Sequence, residues 1–189
     1  MRAPASADND RRELLRLYES LVERVSDLEL MALLAERAAE LAQGDTERFV
    51  LALGAVILNQ RLPRTALFAG VWDRFKVVLG KLGWRGLDCA YPRFGSSGFA
   101  AKDQSNQVQH FWYFAAAAYE WGRRPVEALA WYHEWNPPGL LRWLPGSGMG
   151  RGTALDLALS RQAIDLGRRL ADDAIALAAV GDWMRRELG

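Results

Sequence analysis

The chain has 189 residues, of which 50% are hydrophobic, 11% aromatic and 25% charged. These values are ordinary for a globular protein, and they exclude a chain that is disordered over most of its length. Basic side chains number 24 and acidic ones 23, so the formal net charge of +1 provides no general attraction to nucleic acid or to anionic lipid. The length predicts one domain, residues 10–189, after a flexible N-terminal end at residues 1–9.

The cysteine content and the N-terminal residues indicate a cellular compartment. Cys89 is the only cysteine, so an internal disulfide and a disulfide-stapled secreted scaffold are excluded. The stretch Met1–Asp8 lacks the apolar core of a signal peptide, and the longest apolar run, Phe49–Leu58, is too short to span a bilayer. A soluble, cytoplasmic protein without a membrane segment is expected.

The first part of the chain has apolar residues at the spacing of α-helices, separated by residues typical of helix ends. Asp10 is predicted to cap a helix that runs to about Val25. The predicted helices that follow are one from the capping box of Ser26 and Glu29 to a stop at Gly44, one over Glu47–Leu62 ended by Pro63, and one over about Arg64–Leu82.

The second part of the chain combines helical patterns with two long loops. In the first loop, Gly83–Ala101, the aromatic side chains are expected to anchor the loop to the body of the protein; they are Trp84, Tyr91, Phe94 and Phe99. The second loop, Trp135–Gly152, is rich in proline and glycine. Predicted helices cover about Asp103–Trp121 with a stop at Gly122, Pro125–Glu134, about Thr153–Leu170 and about Asp172–Leu188.

These patterns determine the expected fold class. No stretch of five residues alternates between apolar and polar, so no strand is predicted. The helix at about 103–121 is apolar on every side from Phe111 onward, which is typical of a helix in the middle of a fold. The sequence therefore predicts an all-α fold, a compact bundle of seven or eight helices around this central helix, with the two long aromatic or glycine-rich loops.

Polar residues at the start of the central helix form the main candidate site. At about 100° per residue, Asp103, Gln107 and His110 fall within one narrow stripe, bordered by Asn106 and Tyr113. A carboxylate near a histidine can hold its tautomer and raise its basicity, which predicts His110 as a catalytic base oriented by Asp103. Asn106, Gln107 and Tyr113 are the predicted substrate-binding side chains. The alternative is a buried polar network whose members satisfy one another.

A second signal lies in the helix that begins near Thr153. Asp156, Ser160, Ala163 and Gly167 share one stripe and form a seam of mostly small residues that lets another helix approach closely. The central helix is a candidate partner, and in that case Asp156 and Ser160 join the patch around His110, with Asp156 as a further substrate-binding residue. The alternative is that Asp156 only favours the first turn of its helix.

Other chemistries fit the residues poorly. His110, His133 and Cys89 are the available imidazole and thiol ligands, and none of them belongs to a metal-binding spacing, so no metal site is predicted. The glycines of Gly146–Gly152 precede the helix at Thr153, but no strand pattern and no Gly-Lys-Ser/Thr ending accompany them. No cofactor is therefore expected.

Three classes of function remain open, and no motif assigns the chain to a family. The first is a helical binding or interaction module for a small molecule or a protein partner, with its site around His110. Tryptophans crowd one third of the chain, which is as typical of a ligand cleft or a partner surface as of a core; they are Trp112, Trp121, Trp131, Trp135 and Trp143. The second is a small hydrolase or lyase with His110 as general base. The third is a structural subunit without a site. Neither a nucleic acid nor a membrane is expected as a partner.

Overall fold

The fold is described by a computed structural model over residues 5–58, Phe94, 97–100, 107–134 and 154–189. Of these residues 81% are in α-helices and none is in a strand, which confirms the all-α prediction. The helices within the described ranges are α1 Ala5–Leu21, α2 Asp27–Ala42, α3 Thr46–Ile57, α4 Gln107–Trp121, α5 Arg123–Glu134, α6 Ala154–Ala171 and α7 Val180–Leu188, with a 3-10 turn at Leu177–Ala179 before α7. No helix in these ranges has the length and apolar character needed to cross a bilayer.

Several predicted elements lie outside the described residues. They are the N-terminal residues 1–4, the fourth predicted helix at 64–82, the start of the central helix at 103–106, and the loop at 135–152. The expectation that 1–9 is flexible stays a prediction, although a helix begins at Ala5.

At the N-terminus of α2, only one of the two hydrogen bonds of the predicted capping box is formed. The hydroxyl of Ser26 accepts a hydrogen bond from the backbone N–H of Glu29 at 3.2 Å, as predicted. The carboxylate of Glu29 does not complete the box, because it accepts two hydrogen bonds at 2.8 Å from the guanidinium of Arg185 in α7. The helix ends at Ala42, and Gln43 then takes a left-handed conformation with φ 52° just before Gly44.

Asp10 does not cap α1, contrary to the prediction. The helix begins at Ala5, and Asp10 lies within it with 3% of its surface exposed. Both of its carboxylate oxygens accept hydrogen bonds from Arg48 in α3, from Nε at 2.7 Å and from Nη2 at 2.8 Å. A bidentate, charge-assisted pair satisfies the buried carboxylate more fully than a single cap hydrogen bond, so the side chain joins two helices instead.

The C-terminal helix is shorter than predicted. The expected helix from Asp172 begins only at Val180, because Asp173 adopts φ 51° and the chain turns before the 3-10 segment. The third helix ends at Ile57, before the predicted end at Leu62. The stop at Gly122 is confirmed, since its φ of 77° is left-handed.

Helix α4 lies in the centre of the described core, as predicted. Its Trp112 is completely buried and meets Phe49 of α3 edge to face, with ring centroids 6.1 Å apart. On another side Phe111 packs against Trp183 of α7 at 6.3 Å. Aromatic contacts in two directions explain why the part of this helix from Phe111 to Ala118 has no hydrophilic face.

Within the first predicted loop, Gly83–Ala101, the structure describes Phe94 and residues 97–100. Phe94 is buried and meets Tyr18 of α1 edge to face at 5.2 Å, and Phe99 is buried as well. The turn between them binds the N-terminus of α2: the backbone N–H of Ser97 donates to Asp27 Oδ2 at 2.8 Å, and that of Asp27 donates to Ser97 Oγ at 2.9 Å.

Candidate functional site

His110 lies in the first turns of α4 and faces α6. Its Nε2 is 2.8 Å from the hydroxyl oxygen of Ser160, which has no exposed surface, whereas the histidine is only partly buried. Its ring also packs against Phe114 one turn later, with centroids 5.0 Å apart. The imidazole is thus held by a buried hydroxyl on one side and by an aromatic ring on another.

The close approach of α4 and α6 makes this contact possible. Gly167 of α6 lies against the backbone of α4, since a β-carbon at this position would overlap the carbonyl oxygen of Ala115 and come within 2.9 Å of Ala118 Cβ. Ala163, one turn earlier on α6, is completely buried. The seam of small residues thus packs on the central helix, the partner that the sequence offered as a candidate, and this packing brings Ser160 beside His110.

The Ser160 hydroxyl can either accept from or donate to the imidazole. A serine inside a helix can donate its hydroxyl proton to a carbonyl of the preceding turn, which leaves its oxygen as an acceptor for an Nε2–H group. When the hydroxyl donates to Nε2 instead, the proton of a neutral ring is on Nδ1. In both arrangements the hydrogen bond with Ser160 fixes the orientation of the His110 ring, and the tautomer follows from which of the two groups donates.

Two other predicted site residues belong to the same part of α4. Gln107, one turn before His110, is buried. Burial raises the pKa of Tyr113 above its usual value of 10, so its phenol stays protonated even in mildly alkaline solution. Tyr113 also meets Phe114 edge to face at 5.4 Å. This part of α4 therefore carries an imidazole, a buried amide and a neutral phenol among aromatic rings.

The remaining predicted site residues are described in part or not at all. Asp103 and Asn106 lie outside the described residues. Asp156 is in the first turn of α6, four residues before Ser160, which places both on the same side of the helix, but its side chain is not among those described. Ser160 was not predicted as a catalytic or substrate-binding residue. Its place in the stripe of small residues was nevertheless the sequence feature that could have identified it.

The geometry limits what this pair can do chemically. A serine hydroxyl within 2.8 Å of a histidine nitrogen has the spacing of a nucleophile and its base. Ser160 is completely buried, however, so its hydroxyl does not meet a substrate that approaches from solvent. The part of the pair that reaches the surface is His110, which suits it to orient a polar group of a ligand or to accept a proton from one.

Neither a metal-binding group nor a similar protein assigns a function to this site. Within the described residues, no three His, Cys, Asp or Glu side chains lie together in a way that could hold a metal ion. Cys89 and the side chain of His133 lie outside that description. No protein-family model, no curated protein and no solved structure matches the chain.

Proposed function

We propose that this chain is a helical binding domain whose ligand site is the patch around His110. The observation that supports it is the contrast in burial between His110 and Ser160. A histidine that is held in place by a buried hydroxyl, and still reaches the surface, is pre-organised to contact a ligand.

The surroundings of His110 favour a ligand with an aromatic or apolar body and one polar group. Small-molecule sites are lined mostly by hydrophobic and aromatic side chains, with a few polar groups that determine orientation. Phe114 provides a ring beside the imidazole, and Tyr113 packs edge to face on Phe114 in turn. A protein partner that inserts an aromatic or amide side chain satisfies the same groups.

Ligand binding at His110 can be tested by NMR with isotope-labelled histidine and three small aromatic probes, benzoate, benzamide and indole. We expect at least one probe to shift the His110 ring signals, and we expect the His110→Ala variant to lose the response in neighbouring amides. His133→Ala, which removes the other histidine, is the matched control and keeps the response. If no probe perturbs His110, the proposed site is wrong.

Denaturant melts distinguish the binding site from an internal network. Removing the imidazole leaves Ser160 able to donate to a backbone carbonyl, so His110→Ala is expected to change the unfolding midpoint little. Asn106→Ala is expected to behave in the same way. A large loss of stability in both variants would support the structural-subunit alternative, in which the polar residues only satisfy one another.

A second candidate is a small hydrolase or lyase, in which the hydrogen bond with Ser160 would hold the imidazole in position for proton transfer. Because Ser160 is buried, His110 would act there as a general base toward water or substrate, with Asp103 orienting it. Turnover of an activated ester such as p-nitrophenyl acetate, lost in His110→Gln and retained in His133→Gln, would favour catalysis over binding alone.

A further inference from the structure

A groove with acidic and apolar lining lies away from His110, between the C-terminal half of α2, the start of α3 and the turn before α7. Its volume is about 700 Å³. Its apolar lining includes Ala39, Ile175 and Leu177, and its acidic lining consists of Glu36, Glu40 and Asp173. These three apolar residues are buried or half-buried, whereas Glu40 and Asp173 are exposed, so the two carboxylates lie toward the mouth of the groove. We call this feature the acidic groove.

The carboxylates in and around the acidic groove outnumber the arginines that pair with them. No lysine or arginine is among the described residues that line it. Arg37 is shared between Glu40 and Glu13, so one guanidinium serves two carboxylates. Arg185 is shared more widely still, since it pairs with Glu36 and with two further carboxylates, those of Glu29 and Asp182.

Two further observations indicate negative potential in this region. The last turn of α2 has no basic residue to offset the partial negative charge of a helix C-terminus, whereas the last turn of α6 has Arg168 and Arg169. Burial raises the pKa of Tyr119, and four carboxylates add to that effect; they are Glu47, Glu120, Asp45 and Asp173. Asp173 therefore belongs both to the groove and to a wider acidic surface.

We propose that the acidic groove binds a basic amphipathic peptide segment of a partner protein. Arginine or lysine side chains of such a segment meet the carboxylates at the mouth, and its aliphatic side chains cover Ile175 and Leu177. A metal ion is a poor occupant, because no suitable group of three ligands lies within the described residues. A simple polyamine matches the charge but leaves the apolar lining uncovered. This proposal is independent of the site at His110.

The test uses fluorescence anisotropy with the full chain and a labelled helical peptide of leucine and arginine. Its counterpart, with glutamate in place of each arginine, is the negative control. We expect the arginine peptide to bind, the acidic peptide not to bind, and the affinity to fall as salt rises. The double variant Glu40→Gln with Asp173→Asn should weaken binding about tenfold, and asparagine tolerates the left-handed conformation of residue 173.

Two further variants separate charge from shape. Glu127→Gln with Asp165→Asn removes two carboxylates that are similarly paired with arginines on α5 and α6, and it should leave binding unchanged. Ala178→Trp, at an exposed lining position, should block the groove without altering any charge. Circular dichroism melts verify that each variant folds.

Four outcomes would overturn the proposal. One is the absence of binding to the unmodified chain. Another is an equal loss of affinity in the two double variants, which would indicate a nonspecific charge effect. Unchanged binding in Ala178→Trp would place the peptide elsewhere. The last is that spermine displaces the peptide and binds Ala178→Trp as tightly as it binds the unmodified chain. That result would assign the carboxylates to a small polycation instead.

Discussion

Gly167 and Ala115 bring two helices into backbone contact, and the hydrogen bond between His110 and Ser160 depends on that contact. A β-carbon at position 167 would overlap the carbonyl oxygen of Ala115. The distance between α4 and α6 is therefore determined by a residue that has no side chain. Two turns earlier on α6, the same approach places Ser160 at 2.8 Å from the imidazole.

The first prediction concerns Gly167→Ala. Alanine is the better helix former, so an increase in stability of up to about 1 kcal/mol is the expectation from propensity alone. The clash with α4 reverses the sign, and we expect a net loss of about 2 kcal/mol in the free energy of unfolding by urea. The NMR signals of the His110 ring should shift as the helices separate. A more stable variant would show that α4 and α6 are not in close contact.

The second prediction concerns Ser160→Ala. Removing the hydroxyl deprives His110 Nε2 of its partner, so we expect a loss of about 1 kcal/mol and a change in the tautomer reported by the imidazole nitrogen shifts. Ser20→Ala is the control, because the Ser20 hydroxyl is exposed and donates only to a carbonyl in its own helix, that of Leu17. Imidazole nitrogen and carbon shifts that are the same in Ser160→Ala and in the unmodified chain would contradict the role of this serine in orienting His110.

The third prediction compares two glycines with the same backbone conformation. Gly98 has φ 87° and Gly44 has φ 89°, so alanine is strained at both positions, at a cost of about 1 kcal/mol. The surroundings differ, since a β-carbon at 98 would lie 2.6 Å from the Ser26 hydroxyl, whereas nothing lies within 4 Å at 44. We expect Gly98→Ala to lose about 1–3 kcal/mol more than Gly44→Ala in thermal or urea unfolding. Equal losses would mean that the turn at 97–100 does not pack on α2.

The fourth prediction concerns the pH dependence of the contact between α2 and α7. The hydrogen bonds from Arg185 hold the pKa of Glu29 below its usual value of 4.5. A carboxyl whose pKa is lower in the folded protein contributes stability above its unfolded pKa, and that contribution is lost as the pH falls through the lowered value. Because both side chains are partly exposed, we expect Arg185→Gln to cost only about 1 kcal/mol at pH 7.

The difference between Arg185→Gln and the unmodified chain should shrink toward zero as the pH falls below about 4.5. Arg168→Gln is the control, since its pair with Asp172 is exposed and joins neighbouring turns of one helix. Unfolding curves collected between neutral and acidic pH provide the measurement. A difference that persists undiminished in acid would show that Arg185 stabilises α7 by packing and not through the Glu29 carboxylate.

The sequence by itself determined the features that depend on local spacing. The recurrence of apolar residues predicted the fold class and the central position of α4, because a helix must bury every apolar face that it has. The stripe of Ser160, Ala163 and Gly167 predicted a close helix contact, and Phe94 and Phe99 predicted that the first loop is held against the body. Each of these inferences uses residues that are near one another in the chain.

Only the tertiary structure decided which partner a charged or polar side chain takes. Asp10 and Glu29 both match local capping patterns, and a cap is worth about 1 kcal/mol. In the fold both carboxylates pair instead with the guanidinium of a distant residue, Arg48 or Arg185, through two hydrogen bonds each. Charge-assisted pairs of this kind are stronger than a single cap, and nothing in the local sequence indicates which distant arginine packing brings close. The same holds for His110: its position on α4 was predictable, but the hydroxyl beside it depends on the register between two helices.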